Sequence, residues 1–355
     1  MKIFKLAIIA FLSCTTISSF AQKTVKASTA VDPVAEKLYN KALVEIQNKN
    51  YGAAATLLEE SNRNKINFSP ALFNLGYVDL KTKQYEKAID NFTKVINISS
   101  DAEAYYGRGL SYLELDSFKL AIADFQKAYS LNQNMAKAYR GHGTALMKQK
   151  EYADAINLFT DAITRDSKDN EAIFSRAYCY RKLGKTADAI KEYETLNSLS
   201  PDSVRYIISK GNTYLEMDMA QEDISAYSEA IEVDAQNEEI YIFRAIAFCK
   251  LENYYAAEID FNQAVSINPD NDLIYINRGN MRIAVKKYRD AINDFDYAIK
   301  LNPNNYKAYL NRGIAKELYR DRKGACNDFA TAYSLEPESV AADYVEQCKE
   351  EKYIK

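Results

Sequence analysis

Small and aromatic residues recur along this chain at a nearly constant interval. Tyr51, Tyr85, Phe118, Tyr152, Tyr254 and Tyr288 share one register with Thr186, Ala220 and Arg322, and the steps are 34 residues except for one of 33. Three places after this anchor stand Ala54, Ala88, Ala121, Ala155, Ala189, Asp223, Ala257, Ala291 and Ala325. Seven places after it stand Leu58, Phe92, Phe125, Phe159, Tyr193, Tyr227, Phe261, Phe295 and Phe329. Nine places before it stand Ala42, Gly76, Gly109, Gly143, Ala177, Gly211, Ala245, Gly279 and Gly313. Small residues at two fixed places let two helices approach closely, and the aromatic four residues after the small one lies on the same helical face. Pro201, Pro269, Pro303 and Pro337 each fall fifteen residues after the anchor, where a second helix must stop. The pattern predicts nine helix–turn–helix units over 35–338, starting near residues 35, 69, 102, 136, 170, 204, 238, 272 and 306. Each unit has an apolar face it cannot bury alone, so stacking on its neighbours is obligatory. Residues 339–355 then read as a capping helix, apolar at Val340, Tyr344 and Cys348.

The period and its small and aromatic places resemble the tetratricopeptide repeat family. Ala104-Tyr105-Tyr106-Gly107-Arg108-Gly109 and Ala291-Ile292-Asn293-Asp294-Phe295 lie close to that family's consensus. The first unit, with Leu58 in the aromatic place, and the sixth, with Asp223 in a small-residue place, depart from it. The resemblance implies an all-α, right-handed superhelical solenoid that binds proteins and catalyses nothing.

Composition narrows the class further. Gly and Pro are few, which argues against an all-β or unstructured chain. The net charge of −3 is near balance and gives no reason to expect a nucleic-acid partner. Lys2 and Lys5, an apolar stretch from Leu6 to Leu12 and the small residues around Phe20 read as a signal peptide over residues 1–21, cleaved after Ala21. Its end, Ser-Phe-Ala-Gln, resembles exported proteins of the Bacteroidota, which implies a periplasmic or secreted protein, with outer-membrane association open. Residues 22–34 read as a flexible leader. A second reading takes Leu12-Ser13-Cys14 as a shortened lipoprotein box with Cys14 acylated, although the leucine stands one place too close. No other segment is long and apolar enough to span a bilayer.

Arg precedes the Gly/Ala place in five repeats: Arg108, Arg176, Arg244, Arg278 and Arg312. The same five carry Asp124, Glu192, Asp260, Asp294 and Asp328 just before the second-helix aromatic. The other four carry Lys41, Leu75, His142 and Lys210, and opposite them Leu57, Asn91, Leu158 and Ala226. Arg and acid occur together or not at all, which predicts a structural salt bridge tying the two helices. Because these acids are spread along a surface rather than converging, a catalytic reading is weak. The only histidine is His142, and no CxxC, phosphate loop or nucleophile–base set stands out, so no metal or cofactor is expected.

Gly324-Ala325-Cys326-Asn327-Asp328, with Cys348 22 residues after Cys326, resembles a terminal signature of Bacteroidota repeat proteins. The resemblance and an oxidising compartment imply a Cys326–Cys348 disulfide stapling the cap, with two buried thiols as the alternative. Cys179 and Cys249 stand two repeats apart and read as packing thiols.

First helices line the concave side of stacked helical hairpins. In the last three repeats the groove-facing places read Ile242, Phe243, Ile246, Cys249, Leu273, Ile276, Ile283, Leu310 and Ile314, interleaved with Asn277, Asn280 and Asn311. Asn74 and Asn212 take matching places earlier. The middle repeats offer Lys137, Arg140, Lys148, Phe174, Tyr178, Arg181, Lys182 and Arg205 instead. Asparagine amides pair with both N–H and C=O of an extended backbone, so the expected partner is a protein or extended peptide. This resembles the asparagine ladder of some family members, with only some repeats supplying the residue. A plain repeat surface without a ligand is the alternative at the level of the site. At the level of function, the leading reading is a scaffold and the alternative a chaperone-like carrier of exported or unfolded chains.

Overall fold

The computed structural model describes residues 32–350, so the expected signal peptide, most of the leader, Cys14 and the last five residues lie outside the described part. Within it the chain is an all-α repeat solenoid. The helix pairs are α1 (Pro33–Gln47) with α2 (Tyr51–Asn64), α3 (Ser69–Lys81) with α4 (Tyr85–Ile98), and α5 (Ala102–Glu114) with α6 (Phe118–Leu131). Next come α7 (Ala136–Lys148) with α8 (Tyr152–Arg165), α9 (Asn170–Lys182) with α10 (Thr186–Leu199), and α11 (Val204–Glu216) with α12 (Ala220–Val233). The last pairs are α13 (Glu238–Lys250) with α14 (Tyr254–Ile267), α15 (Asp272–Ala284) with α16 (Tyr288–Leu301), and α17 (Tyr306–Leu318) with α18 (Arg322–Leu335). The helix α19 (Ala341–Glu350) follows. The described residues divide into two compact units, one up to residue 192 and one from residue 193.

Local chemistry sets the helix boundaries. Asp32, Asp101 and Asp169 cap the N-termini of α1, α5 and α9 through their carboxylates, and Asn237, Asn271 and Asn305 cap α13, α15 and α17 through their amide oxygens. The Asp32 cap starts α1 at Pro33, inside the stretch expected as leader. Every first helix ends the same way, on a left-handed residue: Lys49, Lys83, Asp116, Lys150, Gly184, Asp218, Glu252, Lys286 or Arg320. The following N–H then reaches back five residues, as in Asn50 to the Glu45 carbonyl and Asn253 to the Phe248 carbonyl, both at 2.8–2.9 Å. This closure satisfies the last carbonyls of the helix and reverses the chain in three residues. Only Gly184 adopts that conformation without a Cβ penalty; the other eight are held there by the packed hairpin.

The second-helix aromatics form the core, each enclosed against first helices. Phe125 shows why glycine is used there. A Cβ placed on Gly109, of its own repeat, would come within 2.9 Å of the ring, and one placed on Gly141, of the next repeat, within 2.7 Å. The ring therefore lies directly against two helix backbones, and Tyr106 meets it at a tilt, 5.8 Å between centroids.

At the C-terminal end α19 packs on α18. Cys326 and Cys348 are joined by a disulfide with their Cα atoms 5.7 Å apart. Around it Ala325, Phe329 and Val345 are buried, and Tyr344 stacks on Phe329 at 4.5 Å. Val340 differs from the expectation for the cap: it precedes α19 and is 63% exposed, and Ala341 and Val345 are buried in its place, whereas Cys348 is buried as expected. Breaking the cross-link with Cys348→Ser is expected to cost about 3 kcal/mol, because the unfolded chain regains the freedom of a 22-residue loop. Urea unfolding with and without a thiol reductant checks this, and a wild-type curve that ignores the reductant would count against it.

Candidate binding face

Within each unit, first helices of successive repeats touch: α3 with α5, α5 with α7, and α7 with α9 in the first unit, then α11 with α13, α13 with α15, and α15 with α17 in the second. Second helices of successive repeats meet far less, so the first helices form the inner side of the curve within each unit.

The Arg residues of five repeats hold that packing. Arg108 Nε and Nη2 donate to the two Asp124 oxygens at 2.8 Å each, and Arg244 does the same to Asp260. Arg312 forks onto Asp328 at 2.8 and 2.6 Å, Arg278 onto Asp294 at 3.2 and 2.6 Å, and Arg176 reaches Glu192 with Nη2 at 2.7 Å. In all five, Nη1 also donates backwards to the second helix of the preceding repeat. The acceptors are Thr93, Thr160, Ser228, Asn262 and Asp296, at 2.6–3.0 Å. Each Arg therefore ties three helices rather than two. The sequence carries a signal for this: the residue after the second-helix aromatic is a short hydrogen-bond acceptor before each Arg repeat. Before the repeats of Leu75, His142 and Lys210 it is Glu59, Gln126 or Glu194. Hydrogen bonding to Asp124 raises the Arg108 guanidinium above its ordinary value, and Asp260 does the same for Arg244.

Two cations outside that pattern strengthen the last braces. Arg282 Nη1 and Lys316 Nζ stand one turn beyond Arg278 and Arg312, and each lies 2.8 Å from the acid of its own repeat, Asp294 and Asp328. Three of the repeats without Arg have other arrangements. Asn91 donates to Asp79 at 2.8 Å, His142 Nδ1 lies 3.3 Å from the Tyr129 hydroxyl, and Lys210 meets Glu229 at 3.3 Å. Burial pushes the Asp79 carboxyl up and the His142 imidazole down. Burial also pushes the Cys179 and Cys249 thiols up to about 12, which keeps them protonated and unreactive at neutral pH.

The structure redistributes the residues expected to face a ligand. Ile242, Ile246 and Ile276 are buried, because α13 and α15 are packed by second helices on either side as well as by neighbouring first helices. Phe243 is half-buried and stacks on Tyr227 at 5.8 Å. Leu310 and Ile314 pack against the capping cluster. Asn74 and Asn212 are turned inward: Asn74 Nδ2 donates to the Tyr39 hydroxyl at 2.9 Å, and Asn212 Oδ1 accepts from Tyr227 at 2.7 Å. Arg140 is buried, and its Nε donates to Asp169 at 2.8 Å, the same carboxylate that caps α9. Its charge is therefore not open to a ligand. Lys137 pairs with Glu103 at 2.7 Å. Tyr178 stays half-buried with Arg181 and Lys182 over its ring at 5.6 and 5.3 Å.

What stays open on the inner side of the second unit lies on the adjacent helices α15 and α17. Leu273 is 49% exposed, and Asn277, Ile283, Lys307 and Asn311 are half-buried. The Asn277 amide donates to the Leu273 carbonyl of its own helix at 2.8 Å, which leaves its oxygen available to a backbone N–H. Asn280 Oδ1 is enclosed without a hydrogen-bond partner. A separate cleft of about 530 Å³ lies over Pro33, Lys37, Lys41 and Val44 of α1, on a face of the first helix of the stack. Among the described residues no three potential metal ligands cluster, and no helix is long and apolar enough to cross a membrane.

Two profiles, both described as tetratricopeptide repeat, match residues 140–203 and 277–317, and residues 69–101, 102–135 and 238–271, together more than half of the chain. Among solved structures, the chain is similar to a tetratricopeptide repeat protein from Parabacteroides merdae, at 19% identity and a TM-score of 0.57. That match covers 70% of this chain and 98% of the other. The C-terminal part of a repeat-containing protein from Cytophaga hutchinsonii gives 18% identity and a TM-score of 0.51, over 76% of this chain and 98% of the other. No curated protein matches the sequence.

Proposed function

Because the chain belongs to the tetratricopeptide repeat family, we propose that it is a non-enzymatic, exported scaffold that holds a protein or an extended peptide on its first-helix face. The observation that carries this reading is the open surface on the touching helices α15 and α17, where Leu273 offers apolar surface beside Asn277, and Asn311 is half-buried on the next first helix. An amide side chain can pair with both N–H and C=O of an extended backbone, and the apolar residue takes a side chain. Export is supported by the charged and apolar start of the sequence, and by the Cys326–Cys348 disulfide, a bond that persists in oxidising compartments. The fold admits many partners, so the partner's identity rests on the side chains of this strip alone.

Replacing Asn277 and Asn311 together by Ala is expected to reduce partner recovery from envelope extract at least about tenfold, the loss of two hydrogen bonds to a backbone. The circular dichroism spectrum should stay that of the wild type. Unchanged recovery would remove the asparagine strip from the reading, and recovery of many unfolded chains in place of a stoichiometric partner would favour the carrier.

A further inference from the structure

Eight repeats place Ala three residues after the anchor, and all eight of these alanines are fully enclosed. The sixth places Asp223 there. Its exposure is likewise 0%, and neither carboxyl oxygen has a hydrogen-bond partner. An ionised carboxylate in such a place is costly, and the usual remedies, an Arg fork or a cluster of N–H donors, are missing around it.

The charged groups that act on it come from each side. Lys250 of α13 draws it towards ionisation, whereas Glu222 beside it on α12 and Asp218 in the turn leaving α11 oppose that. Lys250 is already engaged: its Nζ donates to the Leu215 carbonyl at 2.8 Å and to Asp218 at 3.0 Å. On α11, Tyr214 faces Glu222, and Lys210 is paired with Glu229. The Ile224 N–H eases the charge without closing a hydrogen bond. Burial therefore dominates and pushes the carboxyl up to about 7.

We propose that Asp223 makes the sixth repeat a proton-controlled latch, in which the protonated carboxyl lets α11, α12 and α13 pack closely and loss of its proton to solvent loosens them. The folded hairpin holds a proton that the opened hairpin releases above about pH 4, the ordinary range of an exposed Asp. The extra stability is therefore complete below that pH and is lost as pH rises to about 7. Ionisation also gives Lys250 a second carboxylate to pair with, at the expense of its contacts at the end of α11.

Hydrogen exchange on the full chain, corrected for the intrinsic pH dependence of exchange, tests this between about pH 5 and about pH 7. Protection of amides in residues 204–250 is expected to fall roughly fiftyfold over that range, about tenfold per pH unit at first and less as pH 7 is reached. Asp223→Ala, which restores the residue of the other eight repeats, is expected to be more protected at pH 7 and to lose the pH dependence. Asp223→Asn keeps the size of the side chain and should also lose it. A wild type and an Asp223→Ala chain whose protection falls in parallel, or a Asp223 carboxyl carbon resonance titrating near pH 4, would overturn the proposal.

Discussion

Asp294→Ala is expected to destabilise the second unit by about 3–5 kcal/mol, the cost of stranding buried charge that has lost its partner. Asp294 is 4% exposed on its side chain and accepts from Arg278 Nε and Nη2 and from Arg282 Nη1, so its removal leaves two guanidinium groups facing one another across an empty place. Asp296, the acceptor of the backward bond from Arg312, is the contrasting case. Its side chain is 52% exposed, and Asp296→Ala should cost well under about 1 kcal/mol, because water replaces the carboxylate. Urea unfolding of both variants, with hydrogen exchange to localise the loss around α15 and α16, makes the comparison. Equal effects from the two would show that the fork onto Asp294 adds nothing beyond an exposed ion pair.

Phe125→Ala is expected to cost a similar amount, about 3–5 kcal/mol, for a different reason. The ring fills the space between the backbones at Gly109 and Gly141, and backbones of packed helices cannot close inward onto the gap as side chains do. Phe125→Leu should cost much less, since Leu58 occupies the same place in the first repeat and is fully enclosed. The chemical unfolding midpoint of the two variants separates them. If both lost the same stability, the ring would be acting through its tilted contact with Tyr106 rather than through its volume.

The two results bear on different parts of the repeat. The aromatic and the glycines bring the helices together without regard to direction, whereas the Arg fork fixes which groups meet. The backward bond from Nη1 extends that choice to the preceding repeat. Within the units the repeats are thus held by a non-directional contact, a core side chain against a glycine backbone in six of them and against alanine elsewhere, and by a directional one in five, and the first tolerates variation that the second does not.

The repeat, its length and the pairing of Arg with acid could be read along the chain. These follow from short-range physics: a helix repeats every 3.6 residues, and a residue that must be small, aromatic or charged in one unit must be so in the next. The destination of side chains on the inner face could not be read that way. Ile242, Ile246 and Ile276 looked available because a helix read alone has an unassigned side, yet the helices packed around α13 and α15 bury them. Asn74 and Asn212 looked like ligand-binding amides, yet hydroxyls of Tyr39 and Tyr227 were in reach, a partner 35 or 15 residues away that no single-helix reading supplies. The same holds for Asp223, whose departure from Ala was visible in the sequence but whose isolation depends on where Lys250 is already spent. Periodicity is a property of each segment; the burial and pairing of a polar atom depend on its neighbours in space, and only the packed structure decides them.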